Sequence, residues 1–201
     1  MNTPATPTTS ASPEANWLPQ ARGSLAMPPP EMICWLRDSG SLTSRLRRAC
    51  LGRFSVRVLR QGRGRALPSE ARLLGMGRGE GAVLREVQLL CDGECWVFAR
   101  TVIPARSVRG AMHRLLGLGT RPLGEVLFTD RRVRRGEVQA ARIRPGHALF
   151  GHAVAHLPVR PGELWGRRAV FWLEGRPLLV NELFLPGVPA CPARHTRVRR
   201  S

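Results

Sequence analysis

Two stretches of the chain carry apolar residues in register on either side of a turn signal. The first is LREVQLLCDGECWVFARTVIP, residues 84–104, interrupted at Asp92-Gly93. The second is LWGRRAVFWLEGRPLLVNELFLP, residues 164–186, interrupted at Glu174-Gly175. Asp-Gly accepts the positive φ values of a type I′ turn, and Glu-Gly can close a similar tight turn. Both stretches therefore read as antiparallel hairpins with two-residue loops. In the first, Cys91 then faces Glu94, Leu89 faces Trp96, Val87 faces Phe98 and Arg85 faces Arg100. In the second, Leu173 faces Arg176, Phe171 faces Leu178, Ala169 faces Val180 and Arg167 faces Glu182.

Side chains alternate along a strand, so each hairpin has one apolar face interrupted by charge. Arg85 and Arg100 interrupt the first. Two guanidiniums directly opposite each other repel. If they are partly buried they need an anion beside them; otherwise they reach water or a neighbouring carboxylate. Glu182 interrupts the second face, among Leu178, Val180 and Phe184. Burial raises a carboxyl's pKa unless a cation offsets it. Arg167 could be that cation, in a plain ion pair.

Helical periods fill the rest. Pro30-Glu31 opens a short helix through Asp38, with Met32, Trp35 and Leu36 on one side. Ser39-Gly40 breaks it. Ser41 caps a second helix in which Leu42, Leu46 and Cys50 recur every fourth residue. Phe54, Val56 and Val58 alternate as a strand. Residues 61–82 read as a Gly- and Arg-rich loop, with no P-loop lysine and no strand–GxGxxG–helix context. From Ser107 a helix with Val108, Met112, Leu115 and Leu116 runs to a glycine stop. Pro122 starts a further turn of helix with Leu123, Val126 and Leu127 apolar. Together they make a packing helix–turn–helix without a full DNA-recognition helix. Residues 130–163 begin with strand-like alternation and end in HALFGHAVAHL, which fits a strand or a short helix. His147, His152 and His156 lack HExxH spacing and a nearby carboxylate, so no metal site is expected.

Length and composition set the boundaries. A chain of 201 residues supports one domain with a core plus tails. Residues 1–29, rich in Pro, Thr, Ser and Ala, read as a disordered N-terminal extension. The domain spans 30–191, and 192–201 form a basic C-terminal tail with Arg194, Arg197, Arg199 and Arg200. Net charge is 32 − 14 = +18, and lysine and tyrosine are absent, so every basic residue is arginine. The excess is spread along the chain and reads as solvated surface. A nucleic-acid binder would want exposed aromatics among its arginines. Most aromatics here sit on strand faces, so no specific nucleic acid is expected. The five cysteines, Cys34, Cys50, Cys91, Cys95 and Cys191, include no CxxC pair. Cys91 and Cys95 fall on opposite strand faces, and reduced thiols in a cytoplasm are expected. No run reaches membrane-spanning length and the N-terminus lacks a charged-then-apolar signal. The expectation is a soluble cytoplasmic protein without membrane insertion.

If the two charged faces share one pocket, it offers a guanidinium and a carboxyl inside an apolar wall. Such a pocket suits a small flat anion with a hydroxyl at its far end, an aromatic or cyclohexadienyl carboxylate.

At these same residues the sequence resembles the chorismate pyruvate-lyase family, which makes 4-hydroxybenzoate for ubiquinone. The matching stretches are residues 84–104, RPLGEVLF at 121–128 and residues 164–186; W-L-x-D-S-x-S-L-T at Trp35–Thr43 matches more weakly. The resemblance covers roughly residues 30–188. It implies an α+β fold: a single antiparallel β-sheet with helical flaps enclosing an internal ligand pocket. It implies action on chorismate, releasing 4-hydroxybenzoate and pyruvate, with no metal or organic cofactor; a monomer is expected. Arg85 would hold the ring carboxylate and Glu182 would meet the hydroxyl, as binder alone or also as base. The backbone of Leu123 would line the site, and Leu42 would replace a flap methionine. Arg100 or Arg167 could meet the charge growing on departing enolpyruvate. Ala99 stands where family members carry glycine. A rival from another class is a non-catalytic effector-binding domain of related fold, as in bacterial transcription regulators. Such a regulator would carry a DNA-binding domain, for which residues 1–29 are too short and too polar.

Overall fold

The computed structural model describes residues 13–19 and 28–191. In chain order these form β1 (Leu18–Pro19), α1 (Pro30–Arg37), α2 (Leu42–Ala49), β2 (Phe54–Gly64), α3 (Pro68–Leu73), β3 (Ala82–Cys91) and β4 (Glu94–Pro104). Then follow α4 (Ala111–Arg114), α5 (Leu123–Thr129), β5 (Val133–Arg135), β6 (Gln139–Ile143), α6 (Ala148–Val154), β7 (Leu164–Leu173) and β8 (Arg176–Phe184). All the strands join one antiparallel sheet in the order β1-β6-β7-β8-β4-β3-β2, and β5 pairs with β7 alongside β6. The fold is α+β, as expected.

Helices cover both faces of the sheet. On one face α1 and α2 pack Trp35, Leu36, Leu42 and Leu46 against Val87, Leu89 and Ala99. On that same face α4 and α5 pack Met112 and Leu127 against Phe171 and Leu178. These two helical pairs are the flaps. On the other face α6 packs Phe150 and Ala153 against Phe98 and Leu183. Leu74, at the end of α3, covers Leu84 and Val102 there. A strand buried on both sides has no need of polar alternation. That accounts for the near-continuous apolar runs in β3, β4 and β7.

Both hairpin turns form at the expected dipeptides. Asp92 and Gly93 take φ of 47° and 84°, and Glu174 and Gly175 take 52° and 75°. The second hairpin has the expected register, including Arg167 opposite Glu182. The first does not. Cys91 pairs with Glu94 and Leu90 with Cys95, but Leu89 pairs with Val97. Trp96 is the extra residue of a one-residue bulge, and its carbonyl accepts the Leu185 N–H at 2.9 Å. A slip of one residue turns every later side chain to the other face. Arg85 therefore stands opposite Thr101, and Arg100 stands opposite Glu86.

Three further expectations change. Residues 61–82 are not all loop: β2 continues to Gly64, and α3 is held down by its own Glu70. Glu70 is 1% exposed and accepts the Leu67 N–H at 2.8 Å. Residues 13–19, assigned to a disordered extension, instead pack on the domain. Leu18 pairs with Ala140, Trp17 is buried, and Glu14 accepts the Ser69 N–H at 3.0 Å. Residues 1–12, 20–27 and the basic tail 192–201 lie outside the described residues.

The thiols are not all reduced. Cys34 is bonded to Cys191 and Cys50 to Cys91, leaving Cys95 free. Sequence spacing concealed both pairs, because the partners are 157 and 41 residues apart. Cys50 ends α2 directly over Cys91 at the tip of β3. Cys191 lies beneath α1, where its N–H donates to the Glu31 carbonyl at 2.8 Å. The two bridges thus tie the α1–α2 flap to the body at both ends. No helix among the described residues is long and apolar enough to cross a membrane.

Candidate functional site

The flap-covered face encloses a cavity between β3, β4, β8 and the two helical pairs. Its walls are apolar, formed by Val56, Val87, Leu89, Ala99, Leu127, Phe128, Phe171 and Val180. Leu42 and Thr43 close it from α2, and Pro122, Leu123 and Gly124 close it from the start of α5. The flaps touch here. A Cβ on Gly124 would fall 2.8 Å from the Thr43 hydroxyl, so any larger residue would wedge them apart. Arg47 of α2 and Glu125 of α5 also pair across the seam at 2.5 Å.

Leu42, Arg85, Leu123 and Glu182 all line this one cavity. Arg85 comes from β3 and Glu182 from β8, with β4 between them. Thr101 is flanked by Arg85 and Val180, and Ala99 by Val87 and Glu182. Two strand spacings across and two residues along put the Arg85 and Glu182 Cα atoms about 12 Å apart. The charged groups therefore mark opposite ends of the apolar chamber.

Arg85 is 6% exposed. Its Nη1 donates to Gln61 Oε1 at 2.6 Å, and its Nη2 donates to the carbonyls of Gly119 at 2.8 Å and Arg121 at 3.4 Å. Among the described residues no carboxylate pairs with it. Burial lowers its pKa from the usual arginine value. A buried cation held only by neutral oxygens is a ready receptor for an anion. Gln61 in turn donates to the Leu116 carbonyl at 2.6 Å, linking the anchor to the second flap.

Glu182 accepts from Arg167 Nε at 2.6 Å. Arg167 is 1% exposed, and its Nη1 also donates to the carbonyls of Trp35 and Asp38, each at 2.8 Å. Those carbonyls belong to the end of the first flap helix. Arg167 therefore fixes both the Glu182 carboxylate and the flap, and it is not among the residues lining the cavity.

Arg100, expected beside the ligand, is on the opposite face because of the β4 bulge. There it forks onto Glu70 at 3.0 and 3.1 Å and reaches Glu86 at 2.5 Å. Burial pushes the Glu86 carboxyl up, but His152 and Arg100 outweigh it and bring the pKa down to about 2. Asn181 donates to Glu70 Oε1 at 2.9 Å and completes the cluster, which locks α3 to the sheet.

Sequence reasoning missed Gln61 and Thr101. Gln61 follows a bulge at Leu59 in β2 that brings it opposite Arg85, against the phase set by Phe54, Val56 and Val58. Thr101 is displaced to the cavity face by the bulge at Trp96.

A sheet face closed by two helical flaps, over an apolar chamber with a guanidinium held by neutral oxygens at one end and a carboxylate at the other, defines a small-anion-binding α+β domain. The chain belongs to the chorismate lyase family, whose family model matches residues 12–191. A probable chorismate pyruvate-lyase of Azoarcus sp. strain BH72 is 50% identical over 162 residues, 79% of this chain and 85% of that protein. A probable chorismate pyruvate-lyase of Methylococcus capsulatus is 45% identical over 161 residues, 80% of this chain and 98% of the relative. Among solved structures, the chain is similar to PhnF from Mycobacterium smegmatis, with TM-score 0.54 and 15% identity over 75% of this chain and 65% of that one. It is also similar to the C-terminal domain of the histidine utilization repressor from Pseudomonas syringae pv. tomato, with TM-score 0.52, 11% identity, and 72% of this chain and 100% of that one covered. At these identities the likeness is one of fold alone.

Proposed function

We propose that this pocket converts chorismate to 4-hydroxybenzoate and pyruvate. The observation that carries the reading is Arg85: a buried guanidinium without a carboxylate partner among the described residues, with Glu182 across an apolar chamber. Family membership points to the same reaction.

In this reading the ring carboxylate binds Arg85 and displaces the flap carbonyls from its Nη2. The C4 hydroxyl donates to Glu182, whose orientation Arg167 fixes. Leu42 and Leu123 press on the ring from the two flaps. The C3–O ether bond breaks and the C4–H proton leaves, so the ring gains its third double bond and becomes aromatic. That proton ends on the enolpyruvyl methylene, giving the methyl group of pyruvate. Atoms and electrons balance without a redox partner. The chain's share of the work is to hold the reactive conformer, neutralise its charge and exclude water. The 4-hydroxybenzoate would serve ubiquinone synthesis, and the acting species would be a cytoplasmic monomer. All five tryptophans are buried or half-buried, so no row of stacking rings is offered to nucleic acid.

The test is chorismate turnover by the purified chain, with 4-hydroxybenzoate and pyruvate measured together. Equal amounts of both are expected. A chain that binds 4-hydroxybenzoate but forms none would instead be a non-catalytic effector-binding domain.

A further inference from the structure

Two guanidiniums close to the chamber lack a carboxylate partner among the described residues. One is Arg85. The other is Arg135, the last residue of β5, which pairs with Phe171 and so shares its face. Resting on the chorismate reading, we propose that Arg135 is the binding subsite for the substrate's second carboxylate, the one on the enolpyruvyl group.

Position is the first argument. The Arg135 guanidinium carbon lies 5.5 Å from the ring centroid of Phe171 and 5.7 Å from that of Phe128, and both rings line the cavity. Phe171, Ala169 and Arg167 follow one another along this face of β7, and Arg167 stands opposite Glu182. Arg135 thus starts four residues along from Arg167, behind the cavity-lining Phe171, and its guanidinium reaches back towards the Glu182 end. It even shares an acceptor with Arg167, since both reach the Asp38 carbonyl, at 3.5 and 2.8 Å.

Unspent bonding capacity is the second. Arg135 Nη1 donates to the Ser39 carbonyl at 2.7 Å. Its Nε is buried without an acceptor. Burial, and then the neighbouring Arg167 charge, lower its pKa, outweighing the opposing pull of the Glu182 and Asp38 charges. A planar guanidinium stacked on aromatic rings with a free Nε edge is preorganised for a carboxylate.

The third argument is the substrate itself. Its ether oxygen is on C3, next to the C4 hydroxyl. With the ring carboxylate on Arg85 and the hydroxyl on Glu182, the enolpyruvyl group projects from the Glu182 end. Of the two cations there, Arg167 is already committed to Glu182 and two carbonyls. Arg135 is the one with capacity left. Arg85 and Arg135, both without a carboxylate partner among the described residues, thus match a dianion, and elimination removes the charge that engages Arg135. Product keeps the Arg85 and Glu182 contacts and loses the one to Arg135.

The experiment compares two ligands on the wild-type chain, Arg135→Met and Arg135→Lys. One ligand is 4-hydroxybenzoate. The other is 3-(1-carboxyvinyl)oxy-4-hydroxybenzoate, already aromatic and so unreactive, which adds only the enolpyruvyl group. Arg135→Met is expected to weaken the dicarboxylate by about 10–100-fold, the loss for a hydrogen bond to a charged group. It should leave 4-hydroxybenzoate affinity within about twofold, and that retained binding reports an intact fold. Arg135→Lys should recover part of the dicarboxylate affinity. Chorismate KM should rise in parallel. Equal losses for both ligands would show a packing role and overturn the subsite, as would no loss for either; in both cases turnover by the wild type leaves the lyase reading standing. A wild-type chain inert towards chorismate would overturn both.

Discussion

Gln61 Oε1 accepts from Arg85 Nη1 at 2.6 Å, while Gln61 Nε2 donates to the Leu116 carbonyl of the second flap. The glutamine therefore sets the direction of the anchor's guanidinium and couples it to the flap's position. Replacing it with leucine keeps volume and removes both bonds. Gln61→Leu is expected to weaken 4-hydroxybenzoate binding by about 3–10-fold, the scale of one ordinary hydrogen bond. Titration calorimetry on the folded variant checks this. Unchanged affinity would mean that Arg85 needs no such support.

The Arg167–Glu182 pair at 2.6 Å separates two roles for the carboxylate. As a hydrogen-bond acceptor for the ring hydroxyl, Glu182 can be replaced by glutamine, whose amide oxygen still accepts. Glu182→Gln should then retain most of the turnover, while Glu182→Ala loses it. A proton acceptor would make both variants poor, by about 10²–10⁴-fold. We expect the first pattern, because internal proton transfer to the methylene needs no base. Kinetics beside thermal melts decide it. Lowered melting with unchanged turnover in both variants would remove Glu182 from the site altogether.

Both disulfides bracket the first flap. Cys50–Cys91 closes 41 residues, and in the loop-entropy picture such a bridge contributes about 4 kcal/mol. Reductant should therefore shift the urea midpoint down markedly. Cys50→Ser with Cys91→Ser should reproduce most of that shift without reductant. Melts that coincide with and without reductant would contradict the pairing.

Much of this arrangement was legible in the sequence. The second hairpin follows from Glu174-Gly175 and simple alternation, because β7 and β8 pair without interruption, and it places Glu182 opposite Arg167. The first hairpin misleads because a bulge leaves no mark in an apolar run: CWVF reads equally well in either phase. The slip at Trp96 moves Arg100 out of the site and brings Thr101 in. Arg85 survives the error because it lies on β3, whose own alternation is regular. Long-range pairing is the other blind spot. The bridge between Cys34 and Cys191, the seat of Trp17 over Arg168 at 4.6 Å and the approach of Arg135 to Phe171 all join segments far apart in the chain. Local periodicity carries no information about such contacts.

The central claim is that Arg85 anchors chorismate for elimination, and one measurement meets it directly: 4-hydroxybenzoate and pyruvate formed from chorismate by the wild-type chain and by Arg85→Ala, with 4-hydroxybenzoate affinity measured on the same samples. The account predicts equal amounts of both products from the wild type. It predicts a folded variant that has lost about 2–5 kcal/mol of ligand binding, the range for truncating one partner of a buried charge pair. A wild type that forms neither product, or an Arg85→Ala chain that binds and turns over like the wild type, would contradict it.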